Sequence, residues 1–230
     1  MSDNFPQHIA IIPDGTRRWA RKRELPDMEG ARAGAETVHR TVDYLVNAGL
    51  KYFTIWGFST DNWKRSEEQV RFLFEEAQAW LERDTLWLNS RGVRLRYIGR
   101  IDRLPISLQQ TISYCGELTK QNTGMTVMAA FDYSGRAEIT EAIRRMMKAA
   151  ISPEMVNDGL VSHYLYTYGV PDVDLVVRTG GEFRLSNFMI WQAAYSEYYF
   201  TPILWPDFDE IELKKALEAY SQRHRRFGGD

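Results

Sequence analysis

Near its amino terminus the chain reads His8-Ile-Ala-Ile-Ile-Pro-Asp-Gly-Thr-Arg-Arg-Trp19. The apolar residues 8–12 predict a short buried strand, because strands of a parallel sheet that is covered on both faces are almost continuously hydrophobic. The Pro-Asp-Gly sequence that follows ends this strand, and a helix is expected to begin at Thr16. The stretch therefore predicts a strand that leads directly into a helix, with the carboxylate of Asp14 at the junction.

Asp14 has two interpretations that the residues leave open. Its carboxylate follows a parallel strand, at the sheet edge where open α/β proteins bind their ligands. Arg17 and Arg18 add donors that suit a phosphate, and a divalent metal between Asp14 and that phosphate would join the two anions. Alternatively, Asp14 and Gly15 form a turn in which Asp14 caps the helix that follows.

Length and composition exclude several classes of function. The chain has 230 residues and a formal net charge of −2, so we expect a single α/β domain spanning residues 1–230 and no nucleic-acid partner. The lone Cys115 excludes an intramolecular disulfide and a cysteine-based zinc site. Because we find neither a signal-peptide pattern nor an apolar run of membrane-spanning length, we expect a soluble, cytoplasmic protein.

Apolar patterns predict strands that alternate with helices. Strands are expected at 8–12, 51–58, 93–99, 125–132 and 173–178, with a last short strand at 203–205. After the helix that begins at Thr16, helices are expected at about 28–50, 66–90, 105–121, 137–150, 151–168 and 210–223. This alternation predicts an α/β fold with a single open, mostly parallel sheet flanked by helices.

Three of the predicted strand ends carry side chains that suit phosphate groups. In a parallel sheet the carboxyl ends of all strands lie at one edge, so the loops at 14–18, 59–65 and 178–186 can converge. Gly180 and Gly181 would let the backbone approach a phosphate closely. We therefore predict a polyanion site, better suited to two diphosphates than to one, formed by Asp14, Arg17, Arg18, Ser59, Asn62, Arg65, Arg178, Arg184 and Ser186.

Longer motifs narrow the prediction further. They are Asp14-Gly-Thr-Arg-Arg-Trp-Ala20, Phe58-Ser-Thr-Asp-Asn-Trp-Lys-Arg65, Tyr133-Ser-Gly-Arg136, Asp174-Leu-Val-Val-Arg-Thr-Gly-Gly-Glu-Phe-Arg-Leu-Ser-Asn-Phe188 and Leu204-Trp-Pro-Asp-Phe208. In this order they resemble the cis-prenyltransferases, the undecaprenyl diphosphate synthase family. The tail Arg226-Phe-Gly-Gly229 matches as well, so the resemblance covers nearly the whole chain. It implies a parallel sheet with helices around a long apolar tunnel.

The resemblance also implies an activity. Members of the family join isopentenyl diphosphate to an allylic diphosphate and form a new Z double bond. Magnesium is the implied cofactor, and arginines stabilise the departing diphosphate as the allylic carbon ionises. A homodimer is implied, in which the tail residues Arg226, Phe227 and Gly228 of one subunit complete the isopentenyl diphosphate site of its partner. The lipid product implies peripheral contact with a membrane.

Individual positions take their roles from the same resemblance. Asp14 matches the magnesium-binding aspartate and Glu197 a second carboxylate at the metal. The resemblance implies catalytic roles for Asp14, Asn62 and Arg65. It implies substrate binding by Gly15, Thr16, Arg17, Arg18 and Trp19 on the allylic side, by Ser59 and Trp63 in the loop over the reacting ends, and by Arg178, Arg184 and Ser186 around isopentenyl diphosphate.

The allylic side departs from the usual family pattern. Thr16 and Arg17 stand where most members have asparagine and glycine, and Asp27 and Ala31 replace an arginine and a histidine. Phe183 replaces a histidine near the metal. By Coulomb's law the exchange of a cation for Asp27 disfavours a diphosphate, unless Arg17 compensates.

Three functions are consistent with these residues. The first is a regular cis-prenyltransferase. The second is an irregular, head-to-middle synthase, because Pro13-Asp-Gly-Thr-Arg-Arg-Trp19 also resembles the lavandulyl-type members. The third is a non-catalytic partner subunit, which would be expected to lack the aspartate and the arginines that this chain has at Asp14, Arg178 and Arg184. Candidates for the tunnel wall, which would set the product length, are Gly57, Phe72, Phe74 and Trp80.

Overall fold

The structure, a computed structural model, describes residues 5–223 and contains one six-stranded sheet. The strands are β1 (His8–Ile12), β2 (Tyr52–Ser59), β3 (Arg94–Ile98), β4 (Thr126–Tyr133), β5 (Leu175–Arg178) and β6 (Glu197–Phe200). Their order in the sheet is β3-β4-β2-β1-β5-β6, and every neighbouring pair is parallel. The predicted α/β fold with a parallel sheet is therefore confirmed.

Helices cover both faces of the sheet. They are α1 (Thr16–Lys22), α2 (Asp27–Asn47), α3 (Glu67–Ser90), α4 (Ile106–Thr119), α5 (Gly135–Lys148), α6 (Asp158–Tyr164) and α7 (Glu210–Ser221). Cys115 is buried on α4 and accepts a hydrogen bond from the Thr85 hydroxyl at 2.9 Å, as expected for a small core residue. Within residues 5–223, no helix combines the length and the hydrophobicity that a membrane span requires.

The central strand β1 divides the hydrophobic core into two parts. Successive side chains of a strand point to opposite faces of the sheet. Accordingly, Ile9 and Ile11 pack into one core and Ala10 and Ile12 into the other. Helices α2, α3, α4 and α7 cover the first core, and this face contains the cavity described below.

Helix α1 lies unusually close to α2 because of one glycine. A Cβ atom at Gly30 would be only 2.2 Å from the carbonyl oxygen of Thr16. Any side chain there would therefore force α1 away from α2. Since α1 begins directly after Asp14, this contact helps to fix the amino end of α1 at the carboxyl edge of the sheet.

The strand predicted at 203–205 is wrong, and the last strand lies earlier, at Glu197–Phe200. Tyr198, Tyr199 and Phe200 have the high β-propensity of aromatic residues. The chain around Leu204 instead crosses the carboxyl edge of the sheet, where the Trp205 N–H donates to the Asp14 carbonyl oxygen at 3.0 Å. Pro206, which lacks an N–H, then takes part in a short 3₁₀ helix.

The continuous helix predicted at 151–168 is also wrong. Pro153 begins a short 3₁₀ helix, and α6 begins only after Asn157, whose side chain accepts a hydrogen bond from the Leu160 N–H at 3.0 Å. Asn157 is therefore an N-cap inside the segment that we had predicted to be one helix. The other predicted helices are confirmed, with ends that shift by a few residues.

Candidate active site

Asp14 lies where the sheet changes direction. From β1 the chain crosses to β2 on one side, whereas β5 lies on the other side, with Arg178 paired to Ile12. In open α/β sheets, ligands bind in the crevice at such a switch point, beyond the carboxyl ends of the strands. Asp14 and the loop that follows Arg178 are therefore neighbours although 164 residues separate them.

The Asp14 carboxylate is held between two guanidinium groups. Arg18 donates from Nη2 to Oδ1 at 3.0 Å, and Arg178 donates from Nη2 to Oδ2 at 2.9 Å. Helix α1 has Gly15 as its N-cap, with no side-chain hydrogen bond to the helix, so Asp14 does not cap it. Of the two interpretations of Asp14, the structure favours the charged site at the sheet edge over the helix cap.

The backbone of Asp14 is fixed by a residue that the sequence reasoning missed. The Thr179 hydroxyl accepts from the Asp14 N–H at 2.8 Å and donates to the Asp14 carbonyl oxygen at 2.8 Å. Thr179 is fully buried. Its position directly after the predicted strand that ends at Arg178 was the available signal, because a hydroxyl there can reach a neighbouring strand end.

Gly180 makes room for the arginine beside Asp14. It has a φ of +83°, and a Cβ atom would lie 2.6 Å from Nη2 of Arg18 and 3.1 Å from the Asp14 backbone. Its carbonyl oxygen also accepts from Nη1 of Arg18 at 2.7 Å. The absence of a side chain at this position therefore lets Arg18 reach Asp14, a role that differs from the predicted approach to a phosphate.

Arg178 is almost completely buried, with 5% of its side chain exposed. It donates to the Ser186 hydroxyl at 2.8 Å and to the carbonyl oxygen of Arg184. The Arg184 side chain itself is exposed and pairs with Glu182. Arg178 and Ser186 thus meet through their side chains, whereas Arg184 reaches this group through its backbone. The Nε of Arg178 is buried without a hydrogen-bond partner in the described chain.

The loop after β2 forms a short 3₁₀ helix, Thr60–Lys64, that is stabilised by its own side chains. The Ser59 hydroxyl accepts from the Asp61 N–H at 3.1 Å, and Oδ1 of Asn62 accepts from the Ser59 N–H at 3.0 Å. Such a capping box holds the two side chains in fixed positions. Ser59, Asn62 and Arg65 all line the same cavity as Asp14.

This cavity has a volume of about 810 Å³, within the range typical of small-ligand sites. Polar side chains gather at the carboxyl edge of the sheet, and apolar side chains extend between the sheet and helices α2, α3 and α4. Of the candidate tunnel residues, Gly57 and Trp80 line it, whereas Phe72 and Phe74 do not. Its polar end is formed by Asp14, Thr16, Ser59, Asp61, Asn62, Arg65, Arg178 and Ser186.

Arg17 acts on this end of the cavity through its charge. Burial lowers the pKa of Arg65, the positive charge of Arg17 lowers it further, and the negative charge of Asp14 raises it. The Nε of Arg17 donates to Oδ2 of Asp27 at 2.7 Å, and Arg21 pairs with the other oxygen at 3.3 Å. The hydrogen bond from Arg17 is the main reason that the pKa of Asp27 is lowered. Asp27 is therefore neutralised by two arginines.

Several predicted site residues do not line the cavity, namely Gly15, Arg17, Arg18, Trp19, Trp63, Arg184 and Glu197. Trp19 donates from its indole to Asp207 at 2.6 Å, and Trp63 donates to Asp132 at 2.7 Å, and neither ring is among the side chains that line the cavity. Phe183, which replaces the expected histidine, is 78% exposed and its ring contacts Phe200.

Glu197 is also far from Asp14 within one chain. It pairs with Leu175, whereas Arg178, beside the Asp14 strand end, pairs with Phe200. Three residues along a strand correspond to about 10 Å. The prediction that Glu197 shares a metal with Asp14 is therefore not supported by the geometry of a single chain. The predicted tail contact, at residues 226–228, lies outside the described residues.

The protein side chains at this site could hold magnesium only together with oxygens of a bound substrate. Among residues 5–223, no group of three or more Asp, Glu, His or Cys side chains could hold a metal ion. Mg²⁺ commonly binds one or two carboxylates and completes its shell with phosphate oxygens and water. The Asp14 carboxylate lines the cavity and is 30% exposed, so it meets that requirement.

Comparisons with known proteins agree with this geometry. A family profile described as "Putative undecaprenyl diphosphate synthase" matches residues 12–228. The chain is 44% identical to an isoprenyl transferase of Thermotoga maritima, covering 98% of this chain and 97% of that protein. It is 43% identical to an isoprenyl transferase of Clostridium tetani, covering 99% and 91%.

Two solved structures share the fold. Lavandulyl diphosphate synthase from Lavandula x intermedia, in complex with dimethylallyl diphosphate, matches with a TM-score of 0.95 and 36% identity, over 99% of this chain and 100% of that one. A probable undecaprenyl diphosphate synthase from Campylobacter jejuni matches with a TM-score of 0.82 and 29% identity, over 98% and 99%.

The role of Gly180 can be tested against its neighbour. Gly180→Ala and Gly181→Ala both place an L-residue at positive φ, which costs roughly 1–2 kcal/mol. A Cβ atom at Gly181 meets only Pro202, at 3.7 Å, so only Gly180→Ala should displace Arg18 from Asp14. We expect similar losses of stability in urea unfolding, but a prenyl-transfer kcat/KM at least tenfold lower for Gly180→Ala. Equal activity of the two variants would contradict this role.

Proposed function

Because the chain belongs to the undecaprenyl diphosphate synthase family of prenyltransferases, we propose that it condenses isopentenyl diphosphate with an allylic diphosphate to give a Z-prenyl diphosphate. In this proposal the whole of residues 1–230 acts as a single domain. The observation that carries it is one cavity of about 810 Å³ with Asp14 and Arg178 at its polar end and apolar walls behind them. A prenyl diphosphate has the matching form, an anionic head and a hydrocarbon chain.

The arginines would act on the departing diphosphate. When the allylic carbon–oxygen bond breaks, its electron pair leaves with the diphosphate, and nearby guanidinium groups stabilise the added charge. Arg18 and Arg178 are already directed to one point by Asp14, and the position of Arg178 is fixed further by Ser186. Such fixed donors need no reorganisation during the reaction, which is the source of their effect.

The cavity walls would control the carbocation that remains. The double bond of isopentenyl diphosphate attacks it, a carbon–carbon bond forms, and a proton is lost to give the new double bond. Apolar and aromatic side chains such as Phe58, Leu73 and Trp80 line the space and exclude water, which would otherwise trap the cation. Asn62 and Arg65, held at the cavity mouth by the loop after β2, would position the two reacting ends.

Magnesium is the cofactor that we propose for this site. Asp14 would hold it together with oxygens of a bound diphosphate and water. When bound, it would neutralise charge on the departing diphosphate. A cation at Asp14 would also leave the Nη2 groups of Arg18 and Arg178 available to the phosphate oxygens, because these groups now donate to the Asp14 carboxylate.

Irregular, head-to-middle condensation is the second candidate. The TM-score of 0.95 with lavandulyl diphosphate synthase favours it, whereas the higher sequence identity with the isoprenyl transferases favours regular condensation. The two reactions differ in their need for isopentenyl diphosphate, because a head-to-middle condensation can join two dimethylallyl units.

One assay tests both candidates. Purified protein with Mg²⁺, isopentenyl diphosphate and dimethylallyl, geranyl or farnesyl diphosphate is expected to give longer prenyl diphosphates, sized by mass spectrometry and with Z geometry in NMR spectra. Product from dimethylallyl diphosphate alone would indicate irregular condensation. If no allylic substrate gives a product with or without isopentenyl diphosphate, the proposed function is wrong.

The metal proposal is tested in the same assay with two variants. Asp14→Asn should lower kcat on the order of 100-fold or more, because the charge that holds the cation is lost. Asp207→Asn is the control, because the Asp207 carboxylate accepts a hydrogen bond from Trp19 and does not line the cavity. It should change kcat little. Calorimetry with Mn²⁺ and inorganic diphosphate provides a readout without turnover. Unchanged Mn²⁺ binding by Asp14→Asn would contradict the proposal.

Arg17 is proposed to replace the missing donors of the allylic side. Arg17→Gly should raise the KM of the allylic diphosphate at least tenfold. Arg17 pairs with Asp27, and its positive charge also acts on Arg65, which lines the cavity. Arg21→Gly, which breaks the other contact to Asp27, is the matched control and should have little effect. Adding Asp27→Arg and Ala31→His to Arg17→Gly should partly restore binding. A near-normal kcat/KM for Arg17→Gly with every allylic substrate would refute the proposal.

We also propose a homodimer, formed in the cytoplasm and in peripheral contact with the membrane through its lipid product. Strand β6 is an edge strand. Its Tyr198 and Phe200 form an aromatic row with Phe183, and the ring centroids are 6.0 and 5.4 Å apart. A second copy is a natural cover for such an edge. Arg223, from which the tail continues, lies 3.8 Å from Glu197 at the same strand.

The dimer is tested by sedimentation and by truncation. The protein is expected to sediment as a dimer at working concentration. Deletion of the residues after Arg223 should raise the KM of isopentenyl diphosphate more than that of the allylic substrate, because the tail is proposed to complete that site. A fully active monomer would refute the composite site.

A further inference from the structure

Asp132 is a buried carboxylate that the proposed reaction does not use. It lies near the carboxyl end of β4, at the same sheet edge as Asp14, and none of its surface is exposed. It does not line the cavity. Its Oδ1 accepts the only hydrogen bond that the described chain gives this carboxylate, from the indole N–H of Trp63 at 2.7 Å. Within residues 5–223, the second oxygen, Oδ2, has no hydrogen-bond partner.

Both the backbone conformation of Asp132 and the burial of its side chain reduce the stability of the folded protein. Its φ of +46° lies in the left-handed region, which is unfavourable for a residue with a Cβ atom. Its charge is balanced only at longer range, by Nε of Arg100 at 3.6 Å and Nε of Arg103 at 3.5 Å from Oδ2. A buried charge with such incomplete pairing adds little stability. Costs of this kind are concentrated at functional sites.

Through Trp63, Asp132 holds the loop that carries Asn62 and Arg65. The Trp63 ring packs edge-on against Phe58 and Phe74, with centroid distances of 5.6 and 5.4 Å. The guanidinium of Arg103 lies over the ring, 4.6 Å from its centroid. These contacts hold the ring by packing and by a cation–π interaction, and the hydrogen bond to Asp132 fixes the direction of its indole N–H.

A second cavity lies next to the loop on the side of Trp63. It has a volume of about 440 Å³ between the start of α3 and the start of α4, and Trp63 and Arg65 both line it. Arg65 lines the main cavity as well. Without the bond to Asp132, the indole could turn into this space and draw Arg65 away from the polar end of the main cavity. The bond to Asp132 therefore opposes a rotation for which the second cavity leaves space.

We propose that Asp132 is a positioning residue for prenyl transfer, acting through the Trp63 indole to keep Asn62 and Arg65 at the mouth of the main cavity. The inference rests on the proposed function for its kinetic consequence, but not for its structural one. Arg100 and Arg103 lie on the other side of the carboxylate, near Oδ2. The Thr60 hydroxyl, which donates to the Ser134 hydroxyl at 2.9 Å, provides a second attachment of the loop to the end of β4.

Two substitutions of Asp132 separate positioning from folding. Glycine and asparagine both tolerate positive φ, but only asparagine keeps a carbonyl oxygen that can accept from Trp63. Asp132→Gly is expected to lower kcat by 10- to 100-fold at saturating substrate, with a KM change below threefold for both substrates, because misplaced groups act mainly on the reacting geometry. Asp132→Asn should keep kcat within about threefold of the wild type.

A double variant tests whether Asp132 acts through Trp63. Trp63→Phe removes the indole N–H and keeps an aromatic ring beneath Arg103. It should lower kcat about as much as Asp132→Gly, and the double variant should lose no more than either single change, since both break one bond. If the two losses multiply, or if Asp132→Gly lowers only the unfolding midpoint with kcat unchanged, the positioning role is wrong.

Hydrogen exchange gives a readout that does not depend on turnover. Amides of residues 59–65 should exchange at least tenfold faster in Asp132→Gly than in the wild type, and Asp132→Asn should restore most of the protection. If the wild type makes no prenyl product but this exchange pattern is found, the proposed function fails and the loop anchor stands. If Asp132→Gly leaves exchange in 59–65 unchanged, the anchor is refuted whatever the activity.

Discussion

The carboxylate of Asp14 is the point on which the site depends, because it joins two arginines from opposite parts of the chain. Arg178 is almost completely buried, and a buried cation without a partner is strongly unfavourable. Asp14 supplies that partner, and Thr179 fixes the backbone that presents it. This pairing is possible only because β5 returns beside β1 and Gly180 leaves space for Arg18. The charged centre and the topology of the sheet are therefore parts of one arrangement.

The apolar cavity has an equally local origin, in small residues on the inner face of α2. Ala31, Gly34, Ala35 and Val38 follow the spacing of one helix face, and all four line the cavity. Opposite them, Ala77 on α3 and Gly116 on α4 are also small. Large side chains at these positions would fill the space and give an ordinary core. The other face of the sheet is packed in that way, with Trp56 stacked on Phe188 at 4.8 Å.

Local sequence patterns predicted most of the helices and strands, but they could not predict which side chains face the cavity. All strands between His8 and Arg178 were predicted, and for β1, β2, β4 and β5 the signal was the nearly continuous apolar run of a buried parallel strand. The strand beginning at Glu197 was missed, since its aromatic residues follow a run that is equally apolar and forms turns. Motif resemblance named Trp19 and Glu197 as site residues, yet the partner of Trp19 and the register of Glu197 direct both away from the cavity. Such information lies in long-range pairing, and no single stretch contains it.

Asp27 shows how that pairing changes a conclusion drawn from sequence. As an isolated replacement of a cation, it predicts repulsion of a diphosphate. In the structure, two arginines share its charge, and one of them, Arg17, lowers the pKa of the cavity-lining Arg65. Arg65 and Arg178 line this end of the cavity together with Asp14 and Asp61, and Asp27, already paired with two arginines, adds little negative charge of its own. Ala31 changes the shape of the cavity, because a small side chain lines it where the family pattern has a histidine. The residues proposed for the allylic side thus differ from the family pattern in shape and in the origin of their charge, and far less in the sign of that charge.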